Sequence, residues 1–328
     1  MKTTKILSAT LVLAASGFLS THVLAQTEYP SRPIRVIVPF GPGTGLDVVA
    51  RRYAERLAEH LKTSVVVENR DGAGGTVGTV AVAKSPADGY TLLFNASPPF
   101  AVAPSVQPSA SYDPVADFAP IARVAVIPMV LIASQNAPFK SFQEMVSYAK
   151  ANPGKLSYAS SGFGAASHLF TEAIKDARNL DILDIPYKST VQAMTDIVGG
   201  QIPLYLPSLP AALSQIQSGR VRALAVGTPK RIDSMRDVPT MAEALERPGF
   251  QATVWYAFFA PAGTATAIVT RLNAEITKTT GEAQIVDALG TLSAAVSLAG
   301  PAELATQIRA EVDEGRKLIE ALKKKQGK

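Results

Sequence analysis

Short apolar stretches bounded by glycine, proline and polar turns recur along most of the chain, and between them lie longer segments whose apolar residues repeat at helical spacing. Residues 34–38 read as a buried strand, and Leu46, Val49, Tyr53, Leu57 and Leu61 then fall on one face of a helix. Residues 64–68 form the next strand. Gly72-Ala73-Gly74-Gly75 opens an alanine- and valine-rich helix that ends near Lys84, and residues 91–95 make a third strand. This β–α–β–α–β order predicts an α/β fold, with a parallel sheet carrying helices on both faces.

The pattern then breaks and resumes. Prolines between 98 and 120 predict irregular surface. The apolar run 124–133 is too long for an isolated strand and suits an extended segment crossing between two lobes. Ser141 and Glu144 have the spacing of a capping box, so a helix starts there and ends before Pro153-Gly154. Strands at 156–159, 182–185 and 202–206 alternate with helices at 169–177, 193–198 and 211–217. The strand 221–226 is expected to return to the first lobe, followed by a strand at 253–260 and helices at 265–279 and 301–325. The last is amphipathic, with Leu304, Ile308, Val312, Leu318 and Ile319 on one side. The expected division is a leader over 1–25, a discontinuous first domain of 26–125 and 230–328, and a second domain of 126–229. Two crossovers of this kind act as hinges, and ligands of open α/β sheets lie at the carboxyl ends of the strands.

The first segment does not belong to the fold. Lys2 and Lys5 precede an apolar run interrupted by Ser8, Thr10, Ser16 and Gly17, and Val23-Leu24-Ala25 fits a small-residue cleavage site. This is the form of a secretory signal peptide, and the run is short for a membrane span of about 20 residues. The chain has no cysteine, which excludes disulfides and thiolate metal sites and suits a bacterial periplasm. The formal charge of +5 is scattered apart from Lys323-Lys324-Lys325, too diffuse a footprint for a nucleic-acid partner.

Two glycine-rich turns carry the candidate chemistry. Each follows a short strand and opens a helix: Gly41-Pro42-Gly43-Thr44-Gly45-Leu46-Asp47, and Ser160-Ser161-Gly162-Phe163-Gly164-Ala165. A helix N-terminus presents unpaired N–H groups and partial positive charge, and glycine lets that backbone approach a ligand. The pair predicts one anion held between two lobes. The first turn fails the dinucleotide spacing, because Leu46 and Val48 stand where a third glycine is needed, and no phosphate-loop Gly-Lys pair is present. Asp47 serves equally as a helix cap or as a ligand acceptor. The histidines are His22, His60 and His168. No Gly-x-Ser-x-Gly elbow accompanies them, so a hydrolase would rest on Ser160 or Ser161 with His168 alone. No cluster of metal-ligating residues is evident, and no cofactor is expected. The aromatics Trp255, Tyr256, Phe258 and Phe259 share one strand and must face both sides of it.

Taken together, Tyr29-Pro30-Ser31-Arg32-Pro33, Val67-Glu68-Asn69-Arg70, Asp88-Gly89-Tyr90-Thr91, Pro186-Tyr187-Lys188 and Ala260-Pro261-Ala262-Gly263-Thr264 lie around the two turns in an order that resembles the extracytoplasmic receptors of tripartite tricarboxylate transporters, also called Bug receptors. The resemblance covers nearly the whole chain after the leader. It implies a two-lobed periplasmic binding protein of the type II-like Venus-flytrap form, each lobe a mixed, mainly parallel sheet flanked by helices. Such a receptor is a monomer without enzymatic activity that delivers a small carboxylate to a permease with one large and one small subunit. By position, Phe40, Gly41, Gly43, Thr44, Gly45 and Asp47 would hold one carboxylate through backbone amides and ordered water. Ser160, Ser161, Gly162, Phe163, Gly164 and His168 would hold the other end, with Ser97 and Ser208 as further candidates. The chain departs from the family pattern at Thr44, Leu46, Phe163 and Ala165, where polar groups give way to apolar area. Those departures suggest a ligand with an aromatic or longer apolar body. A periplasmic sensor, or a hydrolase using Ser161 and His168, are the alternative readings.

Overall fold

The computed structural model describes residues 29–97, 99–107, 110–187, 190–291 and 294–325. The expected leader, together with Pro98 and Lys188, lies outside the described residues. The first lobe begins with β1 (Ile34–Val38), α1 (Gly45–Leu61), β2 (Val65–Asn69), α2 (Thr76–Ala83), β3 (Thr91–Ser97), α3 (Pro99–Val106) and β4 (Phe118–Pro128). The second lobe holds β5 (Val130–Ser134), α4 (Phe142–Ala151), β6 (Leu156–Ser160), α5 (Ala166–Arg178), β7 (Ile182–Pro186) and α6 (Thr190–Val198). It continues through β8 (Leu204–Tyr205), α7 (Leu209–Gln217), β9 (Val221–Val226) and α8 (Met241–Leu245). The chain then returns to the first lobe with β10 (Thr253–Pro261), α9 (Thr266–Thr280), α10 (Ala283–Thr291), β11 (Ala295–Ala299) and α11 (Pro301–Lys325).

The first sheet runs β11-β4-β10-β3-β1-β2 and the second β7-β6-β8-β5-β9. Both are mixed. Pairing is parallel along β2-β1-β3 and β7-β6-β8, where βαβ units supply the strands. It is antiparallel where β4, β5, β9, β10 and β11 join. The antiparallel share is thus larger than the alternating sequence pattern alone implies, because strands that cross between lobes enter each sheet from the opposite direction.

The helical face predicted for α1 is buried residue by residue: Leu46, Val49, Tyr53, Leu57 and Leu61 pack with Phe94, Phe258 and Ile276. Alternation along β10 divides its aromatics as expected. Tyr256 and Phe258 join the α1 side, whereas Trp255 and Phe259 join Phe100, Leu304 and Ile308 on the other. Two expectations change. The proline-rich stretch contains α3, which starts at Pro99, where a missing N–H costs a helix nothing, and which buries Phe100, Ala101, Val102 and Ala103. The strand at 221–226 stays in the second lobe against β5, and Met241, Ala244, Leu245 and Ala252 complete that lobe's core. The return crossing therefore falls between Ala252 and Thr253 and not near residue 230. Alternation and burial are the same for a strand in either lobe, so periodicity could not assign it.

Where the chain passes between lobes, three backbones are tied together. Met129 N–H donates to the Ala252 carbonyl at 2.9 Å, Gly227 N–H to the Met129 carbonyl at 2.8 Å, and Ala252 N–H to the Gly227 carbonyl at 3.1 Å. A Cβ on Gly227 would lie 1.9 Å from the Ala252 carbonyl oxygen, so this close approach admits only glycine.

Candidate functional site

The two glycine turns satisfy their helix N-termini in opposite ways. In the first, Thr44 caps α1: its Oγ1 accepts the Asp47 N–H at 3.3 Å and donates to the Gly41 carbonyl at 3.0 Å. The Asp47 carboxylate is buried and accepts from Gly43 N–H at 2.9 Å, Asn69 Nδ2 at 2.9 Å and Arg51 Nε at 3.1 Å. Burial alone would raise its pKa, but the hydrogen bonds from Arg51, Gly43 and Asn69 and the Arg51 charge outweigh it and hold the carboxyl below its ordinary value. Gly41 adjoins the Asp71 carboxylate, and Gly45 abuts the Tyr256 hydroxyl. The first turn thus engages its Gly43 and Asp47 N–H groups internally and carries negative charge.

The second turn stays open. The N-cap of α5 is Ala165, which offers no side-chain acceptor. Alanine is a poor N-cap, and an uncapped helix start is a ready anion site. The turn is shaped from below: Gly162 N–H donates to Ser160 Oγ at 3.1 Å, Ser161 N–H to Ser167 Oγ at 2.9 Å, and Gly164 N–H to His168 Nδ1 at 3.4 Å. His168 is buried, with its ring centroid 4.9 Å from that of Phe163. Burial lowers its pKa; Asp184 and Glu172 oppose that shift and Lys175 adds to it, with a net lowering that keeps the ring neutral and able to accept.

Ala165, Ala166 and Ser167 face a cavity of about 300 Å³ between the lobes. The second lobe also gives it Ser161, Thr190, Tyr205 and Ser208, and the Tyr205 hydroxyl shares hydrogen bonds with Thr190 and Ser161. Burial raises the Tyr205 pKa more than those bonds lower it, so the group is a neutral donor. The first lobe supplies Phe40, Pro99, Ala103, Val106 and Gln107. Among the described residues, no charged side chain lines this cavity.

The structure therefore brings together Phe40, Ser161, Phe163, Gly164 and Ser208 of the predicted residues, with Ser160 and Gly162 shaping the turn beside them. Gly41, Gly43, Thr44, Gly45 and Asp47 do not line the cavity, and Asp47 is an internal cap. His168 sits under the turn, its Nδ1 engaged by Gly164, and is no base poised over Ser161. Ser97 points away, donating to Glu311, which also accepts from Trp255 Nε1 at 2.7 Å and Gln307 Nε2 at 2.8 Å. That carboxylate borders a second inter-lobe cavity of about 570 Å³ with Glu314 and Arg247. No helix N-terminus opens into it, and two carboxylates make it a poor anion site. Thr190, Tyr205 and Gln107 were missed, because single polar residues at a strand end or helix end have no periodic signal.

Two α/β lobes joined by crossing strands, with a polar pocket at the carboxyl ends of parallel strands, define a periplasmic binding protein. The chain belongs to the tripartite tricarboxylate transporter receptors: the family model described as "Tripartite tricarboxylate transporter family receptor" matches residues 49–323. It is 38% identical over 302 residues to protein BugT of Bordetella pertussis, covering 92% of each chain. It superposes on R. palustris Rpa4515 with adipate at a TM-score of 0.79 and 34% identity, over 89% of this chain and 97% of that one. MatC (Rpa3494) from Rhodopseudomonas palustris with bound malate gives 0.76 and 30%, over 89% and 100%. The chain is accordingly a solute-binding receptor and not an enzyme.

Proposed function

We propose that this chain is a periplasmic receptor that captures a small carboxylate with an apolar or aromatic body between its lobes, and delivers it to a tripartite permease with one large and one small subunit. The observation that carries the reading is the uncapped start of α5 opening into a cavity between the lobes whose described lining bears no charge. The carboxylate would accept from the N–H groups of Ala166 and Ser167, with the hydroxyls of Ser161, Thr190 and Tyr205 around it. Phe40, Val106, Met129 and Phe163 would enclose the body. The first turn contributes the Phe40 wall and the rigid start of α1. Adipate and malate in the two superposed relatives support a carboxylate. Closure follows from contacts that exist only when both lobes meet the ligand.

A thermal-shift screen of C4–C8 carboxylates and aromatic acids tests this. A ligand at a hundredfold its Kd stabilises the folded chain by about 2.7 kcal/mol, a clear rise in Tm. No shift with any carboxylate would contradict the reading.

A further inference from the structure

The two walls of the cavity are chemically unequal. The second-lobe wall holds the uncapped α5 start and the hydroxyls of Ser161, Thr190 and Tyr205. The first-lobe wall holds Phe40, Gly74, Pro99, Ala103 and Val106, and its one polar side chain is Gln107. Among the described residues, no cationic side chain faces it. The α3 helix begins with Pro99, which has no N–H, and residues 41–47 of the first glycine turn do not line the cavity, its Gly43 and Asp47 N–H groups being taken by the Asp47 carboxylate and Thr44 Oγ1. At the start of α2, the N–H groups of Gly75 and Val77 donate to the Gly72 carbonyl. A second carboxylate against this wall would be desolvated with Gln107 as its one described side-chain donor.

Gln107 is held in place. Its Oε1 accepts from the buried Thr76 hydroxyl at 3.1 Å, and its Nε2 packs against Gly74, 3.2 Å from where a Cβ would stand. Its Nε2 has no hydrogen-bond partner among the described residues. Because a threonine hydroxyl either donates or accepts, the outward amide atom can be Nε2 or Oε1. In both cases it is a neutral partner.

Resting on the receptor reading above, we infer that the ligand is a monocarboxylate whose far end is a neutral hydrogen-bonding group read by Gln107, and that dicarboxylates are selected against. The carboxylate enters at α5, the apolar body spans the cavity, and an amide or hydroxyl end meets Gln107.

Titration calorimetry with adipate, adipic acid monoamide and hexanoate tests this at constant chain length. The wild-type chain binds the monoamide at least tenfold more tightly than adipate and more tightly than hexanoate. Gln107→Leu brings the monoamide-to-hexanoate ratio close to one, and Gln107→Arg turns the preference toward adipate. A wild-type preference for adipate over its monoamide overturns the inference while leaving the receptor reading intact. So does an unchanged monoamide-to-hexanoate ratio in a folded Gln107→Leu chain. Failure of all three probes and of the wider carboxylate panel overturns both.

Discussion

Gly164 is the residue at which the binding turn and the first lobe meet. Its φ is +83°, and a Cβ there would lie 2.7 Å from Val106 Cγ2 on α3. A left-handed non-glycine residue costs about 1–2 kcal/mol by itself. The contact with Val106 adds a penalty that exists only while the lobes are closed. Gly164→Ala is expected to lower ligand affinity by about tenfold or more, a factor equal to 1.4 kcal/mol. Val106→Ala in the same chain restores part of it. Titration of both variants checks this; an affinity for Gly164→Ala equal to wild type would remove the contact from the closing mechanism. His168 acts from beneath the same turn, through its hydrogen bond from Gly164.

Helices α1 and α5 both start from glycine turns, yet one is capped and the other is not. Ala165 has the extended backbone of an N-cap, at φ −69° and ψ 157°, without the side chain. Ala165→Asp supplies the missing acceptor, and a capping substitution of this kind raises stability by about 1 kcal/mol. The expected result is a higher Tm for the unliganded protein, with a carboxylate of its own standing where the ligand's would bind. A fall in Tm would mean that the α5 N–H groups already have partners. The elements themselves were largely legible: the stripe of α1, the first-lobe βαβαβ order and the long crossing at 124–133 all appear in the fold. The sequence pattern missed α3, whose prolines look like loop: Pro99 opens the helix, and Pro104 sits inside it, where the Phe100 carbonyl accepts from the Tyr112 hydroxyl. It also missed α8, whose real capping box joins Thr240 and Glu243. At Ser141 the cap is made, but Glu144 reaches the Lys140 N–H instead of closing the box. The two turns looked alike as strings of glycine. What separates them is Asp47, whose donors come from Asn69 and Arg51 as well as the turn, and that convergence exists only in three dimensions.

Across the whole molecule, a small apolar cluster spans the lobes. Val102 of α3 and Ile319 of α11 meet Leu169 of α5, with Val106, Phe163 and Leu318 packed around them. These side chains bury apolar surface in the closed form, which a separation of the lobes would return to water. Ile319→Ala removes a side chain that is 1% exposed. Truncations of this kind cost about 2–5 kcal/mol where they leave a cavity. Here part of that cost falls on closure alone, so ligand affinity drops although Ile319 does not line the binding cavity. Small-angle scattering with saturating ligand is expected to show less compaction for Ile319→Ala than for wild type, and equal compaction would show that the cluster does not contribute to closure. The backbones of Met129, Gly227 and Ala252 are tied together where the chain passes between the lobes.

The proposed carboxylate site is the open start of α5 in the cavity between the lobes. Calorimetric titration of the wild-type and Ala165→Asp chains with the same carboxylate panel tests it most directly. The account predicts saturable binding of at least one carboxylate to wild type and none to a folded, more stable Ala165→Asp. Undiminished binding to Ala165→Asp would contradict it.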